Sequence, residues 1–144
     1  MGKLDGFGAP VSHQDQSRID RLHMAAVHSL RYAPSSILTD LLDEAPDFIM
    51  ARLLRAGGTM VASDKRRQVD LKRDFDVLTT LLPQANAREA RHIAAIDLWL
   101  KGDFYAASQA YADIVATWPR DLIALQIGHQ TDFLLGQVLS TISA

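Results

Sequence analysis

The sequence predicts an all-α fold, a right-handed superhelical stack of antiparallel helical hairpins with about seven helices. Three observations predict it. Apolar residues recur at intervals of three and four along every long segment, and no alternating strand pattern is found. Pro34, Pro46, Pro83 and Pro119 fall between those segments, where they end one helix and open the next connection. The window 88–121 reads as a helix–turn–helix unit of 34 residues, and Gly136 follows Gly102 at that same interval.

Taken in order, residues 1–13 (MGKLDGFGAPVSH) hold three glycines and a proline and read as an irregular leader. Ser12 or Asp15 is placed to cap a first helix over about 15–31, with Ile19, Leu22, Ala26 and Leu30 three or four apart. Ser35 or Ser36 caps a short second helix over 37–44 carrying Ile37, Leu38, Leu41 and Leu42, and Pro46 closes it. Asp47 caps a third helix, about 48–62, whose interior contains Gly57-Gly58. Interior helix glycines cost about 1 kcal/mol each against alanine, so a close helix crossing or a kink is expected there. The fourth helix, about 67–82, carries Val69, Phe75, Leu78, Leu81 and Leu82 and ends at Pro83. Residues 84–86 link it to the main repeat.

The first helix of that repeat covers about 89–100, with Ile93, Ala94, Ile96, Leu98 and Trp99 at helical spacing. Lys101-Gly102-Asp103 breaks the pattern. Gly102 takes a positive φ at low cost, and Asp103 caps the next helix. That helix covers about 104–118, places Phe104, Ala107, Tyr111, Ile114 and Val115 on one face, and stops at Pro119. Two antiparallel helices on a short turn need small residues where their axes approach, which Ala94, Ala95 and Ala107 supply. Leu98, Tyr111 and Ile114 fill the space between units. The small-residue, glycine, alanine, aromatic and proline positions of the tetratricopeptide pattern fall on Ala95, Gly102, Ala107, Tyr111 and Pro119, while Arg91 stands where an aromatic is usual. Residues 122–135 restart the helical pattern as a half repeat with Gly136 as a second turn glycine, and 137–144 form a short uncharged tail. The predicted organisation is thus a leader 1–13, a helical repeat domain 14–136 and a tail 137–144.

Composition narrows the functional classes. An apolar share of 48% with 22% charged residues is ordinary for a globular chain of 144 residues, enough for one domain with its own core. A formal net charge of −2 supplies no bulk attraction to nucleic acid or an anionic membrane. The absence of cysteine excludes disulfides and thiolate metal sites and permits a reducing cytoplasm. No apolar run approaches the roughly 18 residues that a membrane span needs, and the N-terminus lacks a signal-peptide core.

The chemistry-bearing residues point away from catalysis. His23 and His28 are five apart and face different sides of a helix; His92, His129 and Asp132 converge only if successive hairpins stack. These histidines read as packed and hydrogen-bonded, with no metal and no cofactor. Lys65-Arg66-Arg67 and Lys72-Arg73 interleave with Asp64, Asp70, Asp74 and Asp76, which reads as a solvated face of weak ion pairs. No nucleophile elbow and no phosphate-cradling glycine loop is present. Trp99, Trp118, Tyr105 and Tyr111 read as core or inter-repeat packing.

A set of residues stands out: Gly8, Pro10-Val11-Ser12, Ala45-Pro46-Asp47-Phe48, Arg88-Glu89 with His92, and Lys101-Gly102-Asp103-Phe104. It continues through Pro119-Arg120-Asp121, Ala124-Leu125 with His129, and Phe133-Leu134-Leu135-Gly136. On these residues the chain resembles, over about 8–136, the N-terminal part of the tetratricopeptide repeat protein 38 family. The resemblance implies an all-α repeat fold without established catalytic activity. Family members continue into further repeats, so this chain reads as a truncated or divergent member. The expected function is a cytoplasmic, non-catalytic scaffold for a protein or peptide partner, with no nucleic acid and no membrane. Its concave surface is expected to comprise Glu89, His92, Ala95, Ile96 and Trp99 with Ile123, Gln126, Ile127 and Gln130. The alternatives are a truncated member that homodimerises or docks to another repeat segment through its uncapped last helix, where Ile123, Ile127, Phe133, Leu134 and Leu135 lack a cover, and an inert fragment.

Overall fold

A computed structural model describes residues 3–30, 36–60 and 65–143, with only the backbone described at 29–30, 65–67 and 137–143. Among these residues the fold is all-helical, with adjacent helices packed in a stack. The helices are α1 (Gln16–Leu30), α2 (Ile37–Glu44), α3 (Ile49–Met60), α4 (Lys65–Leu81), α5 (Ala87–Leu100), α6 (Phe104–Thr117) and α7 (Leu122–Ser143). A 3-10 turn, Leu82–Gln84, places Pro83 where its missing N–H removes no helical bond. The expected boundaries at Pro34, Ser35 and Ala62 lie outside the described residues. Ser36 stands before α2 but forms no side-chain cap bond.

The hairpin of α5 and α6 follows its sequence closely. Gly102 has φ +84°, and the Asp103 carboxylate accepts the Ala106 N–H at 3.2 Å. Ala95 and Ala107 are buried where the helices meet, and Tyr111 and Ile114 fill the adjoining layer. Ala94 instead faces solvent, because the helical period turns it one step away from Ala95. Tyr105 is exposed rather than packed.

Three expectations are corrected. The leader is ordered at residues 3–11, where β1 (Lys3–Leu4) pairs antiparallel with β2 (Pro10–Val11). The Asp5 carboxylate closes the turn by accepting the Phe7 and Ala9 amides at 2.9 and 3.0 Å, and Gly8 supplies φ +92°. Gly6 and Gly8 thus sit in a tight turn. Second, α7 runs unbroken through Gly136 to Ser143, so no repeat turn lies there and residues 137–143 extend the helix. Among the described glycines, Gly8 and Gly102 have positive φ and Gly136 does not. A glycine ends a helix when the chain needs that geometry, and here Leu135, Val138, Leu139 and Ile142 carry the helical spacing onward. Third, Val69 and Leu82 are exposed, whereas Leu71 and Leu78 form the buried stripe of α4.

The central element is α3, which touches α1, α2, α4, α5 and α7. Phe48, Ile49, Met50, Leu53 and Ala56 are almost wholly buried along it. Gly57 marks a close crossing with α7: a Cβ there would stand 2.2 Å from Ile127 Cδ1, while Gly58 has open space. The contact of α3 with α7 passes over the α5–α6 hairpin. In a simple linear array each unit meets its neighbours alone.

Candidate functional site

The most distinctive chemistry lies where α5 begins. Asn86 accepts the Glu89 N–H at 2.8 Å, and Glu89 Oε1 accepts the Asn86 N–H at 3.0 Å, a reciprocal capping box. Fixing the first turn in this way aims Arg88 and His92, one turn apart, at a single carboxylate. Arg88 Nε donates to Asp121 Oδ2 at 2.7 Å, and His92 Nε2–H donates to the same oxygen at 2.7 Å. Asp121 Oδ1 accepts the Ala124 N–H at 2.9 Å, so one side chain caps α7 and pairs with α5. The remaining arms of Arg88 reach Pro10 O at 2.6 Å and Asp5 Oδ2 at 3.4 Å. Glu89 Oε2 accepts the Ser12 N–H at 3.1 Å.

Arg88, Glu89, His92 and Asp121 are all buried. A buried guanidinium is tolerated when hydrogen-bonded to carboxylates, as here. Burial pushes the Asp121 pKa up, but the hydrogen bonds from His92 and Arg88 outweigh it and hold the carboxyl well below the usual range. The Tyr111 ring meets His92 edge-on, 5.8 Å between centroids, and its buried hydroxyl has no hydrogen-bond partner. Burial, reinforced by the Asp121 charge, raises the Tyr111 pKa. Closed to solvent, this cluster joins the β1–β2 hairpin, α5 and the start of α7. A second ionic cluster joins α3 to α4: Asp74 pairs with Arg52 at 2.9 Å and Arg55 at 2.7 Å. Asp74 is therefore buried, whereas Lys72–Asp76 and Arg73–Asp70 are the exposed pairs expected. Asp64 lies outside the described residues.

The residues expected to share a concave surface separate into two groups. Glu89, His92, Ala95 and Ile96 are interior, covered by α3, α6 and the hairpin, and present no area to a partner. Trp99 is half-buried, its ring 4.6 Å from that of Phe104. On α7, Ile123 and Ile127 are buried, while Gln126 and Gln130 edge a shallow cleft with Ala26, Leu54 and Gly58. The correction has a simple cause: α3 fills the side of α5 that an open array would leave concave.

A roomier opening lies between α6 and α7. It measures about 240 Å³ and is lined by Ser108, Tyr111, Ala112, Val115, Ala124, Leu125, Gly128, His129 and Asp132. Ser108 and Asp132 are hydrogen-bonded across it. Leu125 (49% exposed) lines it, and Phe133 (64% exposed) lies two turns further along α7. The spacing of Leu125, His129 and Phe133 marks one stripe of α7, opposite Ile123 and Ile127, and was the available sequence signal. Among the described residues no three histidine or acidic side chains gather as metal ligands, so His92, His129 and Asp132 do not converge. Among the described residues no helix is long and apolar enough to cross a membrane. No known protein-family profile matches the chain, and no solved structure matches it.

Proposed function

We propose that the chain is a non-catalytic, cytoplasmic interaction module of tetratricopeptide type, related to the tetratricopeptide repeat protein 38 family, and that it takes a partner helix in the groove between α6 and α7. The observation that carries this reading is the pairing of an open groove lined by the exposed Leu125 with an exposed Phe133 two turns further along α7. Ala112 keeps one groove wall low, Gly128 lets α7 pack closely on Tyr111, and the apolar edge supplies about 25 cal/mol per Å² buried. Asp132 and His129 provide polar register marks. Placing a photo-crosslinking residue at Phe133 tests the reading. A discrete heterologous adduct that disappears with Leu125→Asp is expected. An adduct indifferent to that substitution would overturn it.

Self-association is the second reading, favoured by the exposure of Phe133 on the long helix α7. Light scattering after size exclusion distinguishes it. A dimer that Phe133→Asp converts to monomer supports it, and a monomer at every concentration eliminates it.

A further inference from the structure

We infer that residues 3–13 act as an intramolecular ligand, filling a site at the start of α5 that binds a turn-forming peptide bearing a carboxylate. This site is separate from the α6–α7 groove, so either proposal can fail alone. The recognition is directed at backbone. Pro10 O receives Arg88 Nη1 at 2.6 Å and Asn86 Nδ2 at 3.3 Å, and the Ser12 N–H reaches Glu89 at 3.1 Å. One side chain is read by charge, Asp5 against Arg88 at 3.4 Å. Ala9 and Val11, each 1% exposed, supply the apolar plugs.

Two features give the segment the character of a ligand. It holds its own shape, because Asp5 Oδ1 takes the Phe7 and Ala9 amides while Asp5 Oδ2 faces Arg88. Preorganisation of this kind lowers the cost of binding. Its tether to α1 is the exposed pair Gln14-Asp15. On the receiving side Asn86 and Glu89 cap each other, and Arg88 and His92 pair with Asp121, so these bonds do not involve the segment. The tether keeps the site filled at a high effective concentration, so the site opens to a second peptide only when the tether is cut.

The test inserts a protease site between Gln14 and Asp15 and cleaves the folded chain. Labelled synthetic peptide 1–14 is expected to exchange into the nicked protein faster than the protein unfolds globally. An Asp5→Ala peptide is expected to bind about tenfold more weakly or worse, from the loss of a charged hydrogen bond. A Leu4→Ser peptide, altered at an exposed position, is expected to bind unchanged. Exchange only at the global unfolding rate, equal binding of the Asp5→Ala peptide, or loss of helical signal on nicking would each show the segment to be core and overturn the proposal. Native-state hydrogen exchange on the intact chain gives an independent measure. The Ala9 and Ser12 amides are expected to open below the global unfolding free energy, and opening only at that free energy would overturn it.

Discussion

Replacing Asp121 with asparagine probes the junction on which the start of α5, the start of α7 and the hairpin converge. The carboxylate accepts Arg88 and His92 on one oxygen, each at 2.7 Å, and the Ala124 amide on the other at 2.9 Å. Asparagine can keep the Ala124 bond. Its NH₂ then faces the donors of Arg88 and His92, and a buried guanidinium keeps only Asp5 at 3.4 Å and Pro10 O as partners. Breaking a buried pair costs about 3–5 kcal/mol, and the surviving partners place Asp121→Asn near the lower end, roughly 3 kcal/mol. For a chain of this size that lowers Tm by about 10 °C. Urea unfolding followed by circular dichroism at neutral pH measures it. The folded pKa of Asp121 lies below its unfolded value, so its contribution is complete above the ordinary aspartate pKa of about 3.9 and fades as pH falls through the folded value. The gap between wild type and Asp121→Asn should therefore narrow in acid below about pH 4. A loss under about 1 kcal/mol at neutral pH, or a gap that widens in acid, would refute the reasoning.

Glycines at the same repeat phase should respond with opposite signs. Gly102→Ala forces a Cβ into φ +84° and should cost about 1 kcal/mol, whereas Gly136→Ala sits in an unbroken helix with open space and should gain up to about 1 kcal/mol. Equal signs in thermal melts would contradict the continuous α7. Gly57→Ala should cost about 1–3 kcal/mol through its contact with Ile127 Cδ1, and Ile127→Val should recover part of that loss; strict additivity in the double mutant would rule out the crossing. Tyr111→Phe removes a buried hydroxyl without a partner and should change stability by less than about 0.5 kcal/mol or raise it, while a loss above about 1 kcal/mol in denaturant titration would reveal a bond to that oxygen.

The sequence by itself determined what is local. Apolar spacing placed the first six helices within a few residues, and Gly102 with Asp103 specified the α5–α6 turn, because helix period and cap chemistry are written within one turn of chain. Tertiary structure decided what depends on distant partners. Arg88 and Asp121 read as surface residues in any local window, since isolated charges belong in water. Their burial follows only once the hairpin, α5 and α7 bring donors and acceptors together. Asp74 is the same case, drawn inside by two arginines of α3. Gly136 shows the converse: its phase matched the repeat, but the backbone there needs no positive φ, and the apolar spacing beyond it carries the helix on. The intended concave face of α5 was lost because α3, flanked by five other helices, fills it. Periodicity identifies which face of a helix is apolar; only packing identifies which neighbour covers it.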